Sequence, residues 1–403
     1  MKIIEQLYCR TIQLAFRAAL PILPYRQPHL LRTPADTAQI LRQCGISFIL
    51  LIVDANVRSL GLTASLEASL HQAHIACAVY EQRTPNPTID DVEQARSLYL
   101  KSGAKAIIAI GGGSAIDCAK VVGARIARPR KPVGRMRGLL RVMHKTPLLI
   151  AIPTTAGTGS ETTLAAVITD SRTHHKYPIN DFSLIPDYAL LDAALTAGLS
   201  PYLTATTGLD ALTHAIEAYI GRSTTKLTRA MSEEAVILIT KNLRKACENG
   251  SDLYARGRML RASYCAGVSF TRSYVGYVHG IAHSLGGQYD IAHNLANAVI
   301  LPHMLRRYGR SVTRKLAILA RKSQLISPQA SEHEAAERFI CWIEAFNRDF
   351  GIPKGFSQIR EEDIPLMARH AAKECNPLYP VPVLMNQNEL ASIYHELMHK
   401  EEP

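Results

Sequence analysis

Asp210 and His214 stand four residues apart in GLDALTHAIEAY, a run whose apolar side chains recur at helical spacing. On an α-helix that spacing puts a carboxylate and an imidazole on one face, one turn apart. Downstream, GYVHGIAHSLGGQYDIAHNLANAVILPH carries His279, His283, His293 and His303. One carboxylate and several imidazoles aimed at one point are a ligand set for a divalent transition metal such as Fe²⁺ or Zn²⁺. Spacing does not choose among the histidines. His279 and His283 form a second i, i+4 pair, and either also suits a hydrogen-bonded core position. Asp-x-x-x-His occurs on ordinary helices too, so the pattern alone leaves the metal site and the structural reading about level.

Two small-residue stretches point to a second ligand. Gly111, Gly112, Gly113 and Ser114 directly follow the apolar run AKAIIAI and precede a helical pattern. Glycines let a phosphate approach the backbone, and a helix N-terminus offers free N–H groups and a favourable dipole. The stretch is not the G-x-G-x-x-G fingerprint, and a plain tight turn competes with phosphate binding. Thr154, Thr155, Gly157, Thr158, Gly159 and Ser160 form a similar loop after the next strand. Two such loops at adjacent strand ends favour a dinucleotide. Asp54 ends the first long strand, where a carboxylate can hydrogen-bond the adenosine ribose hydroxyls and repels a 2′-phosphate, so NAD is expected over NADP.

These residues need elements to hold them. From about residue 35 the chain alternates helix and strand patterns: TAQILRQCG, ISFILLIVD, SLEASLHQAH, ACAVYEQ, DDVEQARSLYLKSG, AKAIIAI, GGGSAIDCAKVVGARIA and TPLLIAIPTT. Such alternation predicts a mostly parallel, Rossmann-like sheet with helices on both faces and ligands at the carboxyl ends of the strands. After Ala205 helical patterns dominate. The expected organisation is an amphipathic helical extension over 1–32, an α/β dinucleotide-binding domain over 33–200 and an all-helical metal and substrate domain over 201–403, with a cleft between the last two.

Composition is ordinary for a soluble globular protein, with 47% apolar and 20% charged residues. Eight cysteines without a C-x-x-C pair argue against a disulfide framework or thiolate zinc site, and for a reducing, cytoplasmic compartment. The net charge is +12, and residues 125–145 hold eight Lys/Arg and no acid. A solvated surface strap is the plain reading, and contact with an anionic membrane surface the sharper one. No aromatic-interleaved platform accompanies the charge, so nucleic-acid binding is not expected. In residues 1–24 apolar side chains at helical spacing are interrupted by Glu5, Arg10 and Arg17, which argues against a signal peptide or a membrane span and leaves an amphipathic helix, packed on the protein or lying at a membrane interface.

The motifs TPNPTIDDVEQA, GGGSAIDCAK and AIPTTAGTGSETT, followed by GLDALTHAIEAY and the histidine-rich run, resemble in order and spacing the iron-containing (group III) alcohol dehydrogenases, with similarity from about residue 35 to NPLYPVP at 376. The resemblance implies a dehydroquinate synthase-like two-domain fold and metal-dependent, NAD-linked oxidation of an alcohol, reversible to aldehyde or ketone reduction. It selects Asp210, His214, His279 and His293 as the metal ligands and leaves His283 either to support a ligand from behind or to relay a proton. It also places Asn86, Asp117 and Lys176 near the cofactor, with Gly111–Ser114 and Thr154, Thr155 and Thr158 on the pyrophosphate and nicotinamide. Dimers are common among similar proteins, and a homodimer is expected. One departure stands out: the family's Pro-His-Gly around the last ligand is here Ala292-His293-Asn294, which puts the ligand loop in question. Tyr274, Tyr277, Phe270, Trp342 and Tyr379 are candidates for an alcohol pocket or, by default, for core. Other readings are a glycerol dehydrogenase-like enzyme, a lyase of the same fold, and a membrane-attached non-catalytic protein. The lyase needs a Lys/Arg cluster for a phosphate-bearing substrate, and none lies near Asp210 or His279 in the sequence.

Overall fold

FILLIVD offers no polar face, so its strand must be covered on both sides. In the computed structural model, which describes residues 1–84, 86–173 and 175–398, this is what its side chains meet. Pro85, which falls within TPNPTIDDVEQA, and His174, two residues before Lys176, lie outside the described residues. The strands are β1 (His29–Leu31), β2 (Phe48–Asp54), β3 (Ala76–Gln82), β4 (Ala106–Gly111), β5 (Gly138–Leu139), β6 (Leu148–Pro153), β7 (Ala165–Asp170), β8 (His175–Asn180) and β9 (Tyr188–Leu190). Six form one parallel sheet in the order β1-β9-β6-β4-β2-β3.

Alternate residues of the sheet feed two separate cores. Ile49, Leu51, Val53, Ile108 and Ile110 face the helices Pro34–Gln43 and Ala64–Gln72. Leu50, Ile52, Ile107 and Ala109 face the helices Ile89–Ser102 and Gly113–Ala127. The mostly parallel α/β fold is therefore the one expected. A second, three-stranded sheet, β5-β8-β7, was not foreseen. Its middle strand contains Pro178, opposite Val167 in the antiparallel β7–β8 ladder, and a proline inside a short run reads as a strand breaker.

The chain divides into two compact units, residues 24–198 and residues 1–23 with 199–403. The second is helical. Its central helix, Pro201–Ile220, is capped by Ser200, whose side chain accepts from Leu203 N, with Pro201 in the first turn. Every residue from Thr204 to Ile220 is buried, so the helix is enclosed on all sides. Gly208 makes this packing close: a Cβ there would lie 2.3 Å from Leu243 Cδ1. The helix Ile3–Ala19 belongs to this unit. Arg10 donates to Val381 O and Pro382 O, and Gln13 to Pro377 O and Tyr379 O. Among the described residues no helix is long and apolar enough to cross a membrane.

Candidate metal centre and dinucleotide loops

The enclosed helix Pro201–Ile220 presents Asp210, His214 and Glu217 in successive turns, with Asp210 only 1% exposed. Burying a carboxylate this completely is costly unless donors or a cation meet it. His214 stacks on Phe270, with ring centroids 4.1 Å apart and planes 15° apart, which fixes the imidazole's orientation.

Glu217 holds the next ligand. The helix Tyr277–Tyr289 starts at Gly276 with no side-chain cap of its own. The buried Glu217 carboxylate fills that role, accepting from Gly276 N at 2.7 Å and Val278 N at 2.8 Å. It also meets His279 Nδ1 at 2.6 Å. A carboxylate on Nδ1 keeps the proton there and leaves Nε2 with a bare lone pair, the tautomer a metal requires. Gly276 is needed for this approach, since a Cβ would sit 2.6 Å from Glu217 Oε1. Burial pushes Glu217 up to about 7, against the three donors that favour its ionised form. Burial also holds His279 well below its ordinary pKa, and His214, His293 and His283 act in the same direction.

His293 opens the helix His293–Tyr308, with Ala292 as a cap that contributes no side-chain bond. The departure at this loop has a structural counterpart. Asn294 Nδ2 donates to Thr206 Oγ1 at 2.8 Å, tying the start of this helix to the one carrying Asp210. One turn on, Asn297 is fully buried. Its Nδ2 lies 2.7 Å from Asp210 Oδ1, 3.0 Å from His293 Nε2 and 3.3 Å from His279 Nε2.

One ligand atom from each of Asp210, His214, His279 and His293 therefore lies within 4.8 Å of all the others. Three of these residues are buried and His293 is partly exposed. Carboxylate and imidazole lone pairs converging in a buried place repel one another without a positive charge among them. Asn297, a neutral amide, offers only the partial charge of its N–H groups, and its own buried Oδ1 has no hydrogen-bond partner among the described residues. The residues fit a divalent cation by donor type, number and burial.

The other histidines separate cleanly. His303 Nε2 meets Lys354 O at 3.0 Å, outside the cluster. His283 stacks on His293, centroids 5.1 Å apart, and its Nδ1 meets Glu374 Oε1 at 2.6 Å. Tyr379 Oη donates to the same oxygen at 2.8 Å. Among the pocket candidates, Tyr277 is core, its hydroxyl bonded to Asn376 Oδ1 and Met385 O. Trp342 packs with Phe339 and Phe346. Sequence reasoning missed Glu217, Asn297 and Glu374. The first two lie at helical spacing from named histidines (His214 to Glu217, His293 to Asn297), a signal that would have found them. Glu374 comes from a distant helix and left no local trace.

In the α/β unit the two small-residue loops are neighbours, because β4 and β6 pair with Gly111 opposite Pro153 and Thr154 N donates to Gly111 O. Gly111, at φ +157°, could not carry a side chain: a Cβ would come 2.7 Å from that of Ala115. Gly112 is the cap of the helix Gly113–Ala127, again with no side-chain bond, and Ser114 lies in its first turn. Gly113 packs against Thr158, where a Cβ would be 3.0 Å from the side chain. Asp117 gives one oxygen to Ser160 Oγ at 2.6 Å and the other to Val167 N at 2.9 Å, so it fastens the second loop. Lys176 Nζ donates to Asn86 Oδ1 at 2.8 Å. Asp54 caps the short helix Ala55–Ser59 through Oδ1, which accepts from Asn56 N and Val57 N.

Comparison with known proteins covers most of the chain. Residues 33–193 match the family described as iron-containing alcohol dehydrogenase, and residues 204–398 match the C-terminal part of the Fe-containing alcohol dehydrogenase family. The chain is 36% identical over 336 residues to the NAD-dependent methanol dehydrogenase of Bacillus methanolicus, spanning 83% of this chain and 88% of that protein. It is 34% identical over 386 residues to the 1,3-propanediol dehydrogenase of Klebsiella pneumoniae, spanning 94% and 98%. The crystal structure of a 1,3-propanediol oxidoreductase is similar with a TM-score of 0.87 at 33% identity, covering 93% of this chain and 99% of that one.

Proposed function

Since the chain belongs to the iron-containing alcohol dehydrogenase family, we propose that it catalyses reversible hydride transfer between the carbinol carbon of an alcohol and C4 of NAD, giving aldehyde or ketone, NADH and a proton. The observation that carries this reading is the convergence of Asp210, His214, His279 and His293 on one point. These four would hold Fe²⁺ or Zn²⁺, and a cation so held supplies Lewis acidity to an alcohol oxygen, favouring its deprotonated form. Relatives named for methanol and 1,3-propanediol support a short primary alcohol as the substrate class.

The remaining roles fall to the chain's own groups. His283, bonded through Nδ1 to Glu374, takes the alcohol proton at Nε2 and, being 44% exposed, passes it to solvent. Gly111, Gly112, Gly113 and Ser114 place N–H groups of a helix start against a pyrophosphate. Thr154, Thr155 and Thr158 line the nicotinamide side, with Asn86 and Lys176 nearby and Asp117 holding the loop in place. Asp54 spends Oδ1 on its helix cap, and its second oxygen serves the ribose hydroxyls of NAD.

Metal analysis of the purified chain, followed by NADH formation over a panel of alcohols, tests the proposal. Metal-loaded protein that turns over no alcohol, or an Asp210→Asn variant with undiminished metal and turnover, would defeat it.

A partner reading goes with this one: residues 1–32 meet an anionic membrane surface peripherally. Its support is the helix Ile3–Ala19, whose outward side is apolar and exposed. The basic stretch 125–145 is the other candidate for such contact, through charge alone.

A further inference from the structure

The helix Ile3–Ala19 has two apolar sides, and only one is used. Cys9, Gln13, Phe16 and Leu20 turn inward, with Phe16 edge-on to Tyr274 at 4.9 Å. On the opposite side Ile3, Ile4, Leu7, Tyr8 and Leu14 form a ridge, with Ile3 84% and Ile4 82% exposed. A helix that merely covers the protein would carry polar residues there. Exposing this much contiguous apolar surface marks an interaction site.

The charges around the ridge say what it meets. Arg17, three residues beyond Leu14 and exposed, flanks the ridge, and Arg222 and Arg229 are exposed too; Arg222 N donates to Pro380 O, next to the Val381 carbonyl that Arg10 of this helix holds. None of the three makes a salt bridge among the described residues. They are close enough to act together on Lys315, whose ammonium burial pushes down to about 8 while Arg229, Arg222 and Arg17 push the same way. Lys315 itself is committed to the carbonyls of Tyr219, Ile220 and Gly221. The patch is thus an apolar ridge beside a cluster of uncompensated guanidinium groups. A second copy of the chain would bring the same cations face to face in a two-fold contact, which is repulsive. Anionic lipid headgroups over acyl chains complement both features at once. The whole ridge also lies outside the two spans that match the family.

Resting on the peripheral-contact reading and assigning its surface, we propose that Ile3, Ile4, Leu7, Tyr8 and Leu14 insert at the headgroup boundary of an anionic bilayer while Arg17, Arg222 and Arg229 bind its phosphates. The helix thereby seats the helical unit on the membrane through the bonds of Arg10 and Gln13.

The test is co-sedimentation of the full chain with vesicles of phosphatidylcholine alone or mixed with phosphatidylglycerol. Two variants accompany it: Ile4→Ser/Leu7→Ser/Leu14→Ser and Arg222→Glu/Arg229→Glu. All five side chains are exposed, and unchanged alcohol oxidation without vesicles verifies the fold. Wild type is expected to bind the anionic vesicles, to release at about 0.5 M salt, and to lose affinity about tenfold or more in either variant. Wild type that binds while both variants bind equally well would overturn this surface and leave the peripheral contact to another part of the chain. Wild type that binds no vesicle would end both readings. A dimer that the serine variant alone dissociates would assign the ridge to a second copy instead and overturn the proposal.

Discussion

Glu217 Oε2 lies 2.6 Å from His279 Nδ1, and the same carboxylate closes the first turn of the helix that carries His279. One buried group thus sets both the position of the ligand's backbone and the tautomer of its ring. It stands behind the ring, on the side away from the converging ligand atoms, where a carboxylate would help Asp210 balance the charge of a bound dication.

Glu217→Gln is therefore expected to lower divalent affinity by about ten- to a hundredfold while the fold survives. Gln still accepts from Nδ1 but loses the charge. Chelator competition with Zn²⁺ or Co²⁺ measures it, and wild-type affinity in the variant would refute the role.

The clamp between Asn294 and Thr206 takes the place of a rigid loop. Asn294→Gly should cost about 1–2 kcal/mol, from one lost hydrogen bond and glycine's freedom in a first helical turn. The melting temperature should drop while metal stoichiometry holds, because His293 is still held by the helix behind it. Loss of metal with unchanged melting would show that Asn294 acts on the ligand directly.

Asp54→Gly should shift cofactor preference. Glycine is tolerated at a helix cap at a cost of a few tenths of a kcal/mol, so the change reports on the ligand more than on the fold. The ratio of kcat/KM for NADP to that for NAD should rise by about tenfold or more, the effect of removing one charge near a 2′-phosphate. A wild type that already prefers NADP contradicts the assignment of Asp54.

Glu161 gives the α/β unit a pH dependence. It is buried, its Oε1 has no hydrogen-bond partner among the described residues, and burial pushes its pKa from 4.5 up to about 7. The folded value lies above the unfolded one, so the folded chain holds the extra proton between them and stability falls as pH rises through that window. Glu161→Gln removes the titration. Its stability relative to wild type should improve between those pH values by up to about 3 kcal/mol. Lys120, pushed down to about 8 by burial, loses a favourable neighbour in the variant, which makes this an upper bound. Melting curves at pH 5, 6 and 7.5 read it, and parallel curves for the two proteins would refute it.

What the sequence determined by itself is whatever local pattern dictates. The apolar runs at Phe48–Asp54 and Ala106–Gly111 could only be doubly covered strands. The glycines that follow Ala106–Gly111 made a small-residue turn there, open to either a plain turn or a phosphate, and the spacing of Asp210 and His214 put both on one helix face. Short-range sterics and burial periodicity decide these matters, and both are written in consecutive residues. The choice among four histidines was different: spacing left it open, and only resemblance made it. The tertiary structure draws His279 and His293 to Asp210, sends His303 to Lys354 O, and pairs His283 with Glu374. It also decided that Asn294 clamps Thr206, that β8 tolerates Pro178, and that one side of the first helix is left outward. Apart from the pairing of Pro178 with Val167, each of these depends on groups tens to hundreds of residues apart in the chain. Their meeting is fixed by how helices pack and by where buried polar atoms find partners, and no window of sequence contains both ends of such a contact.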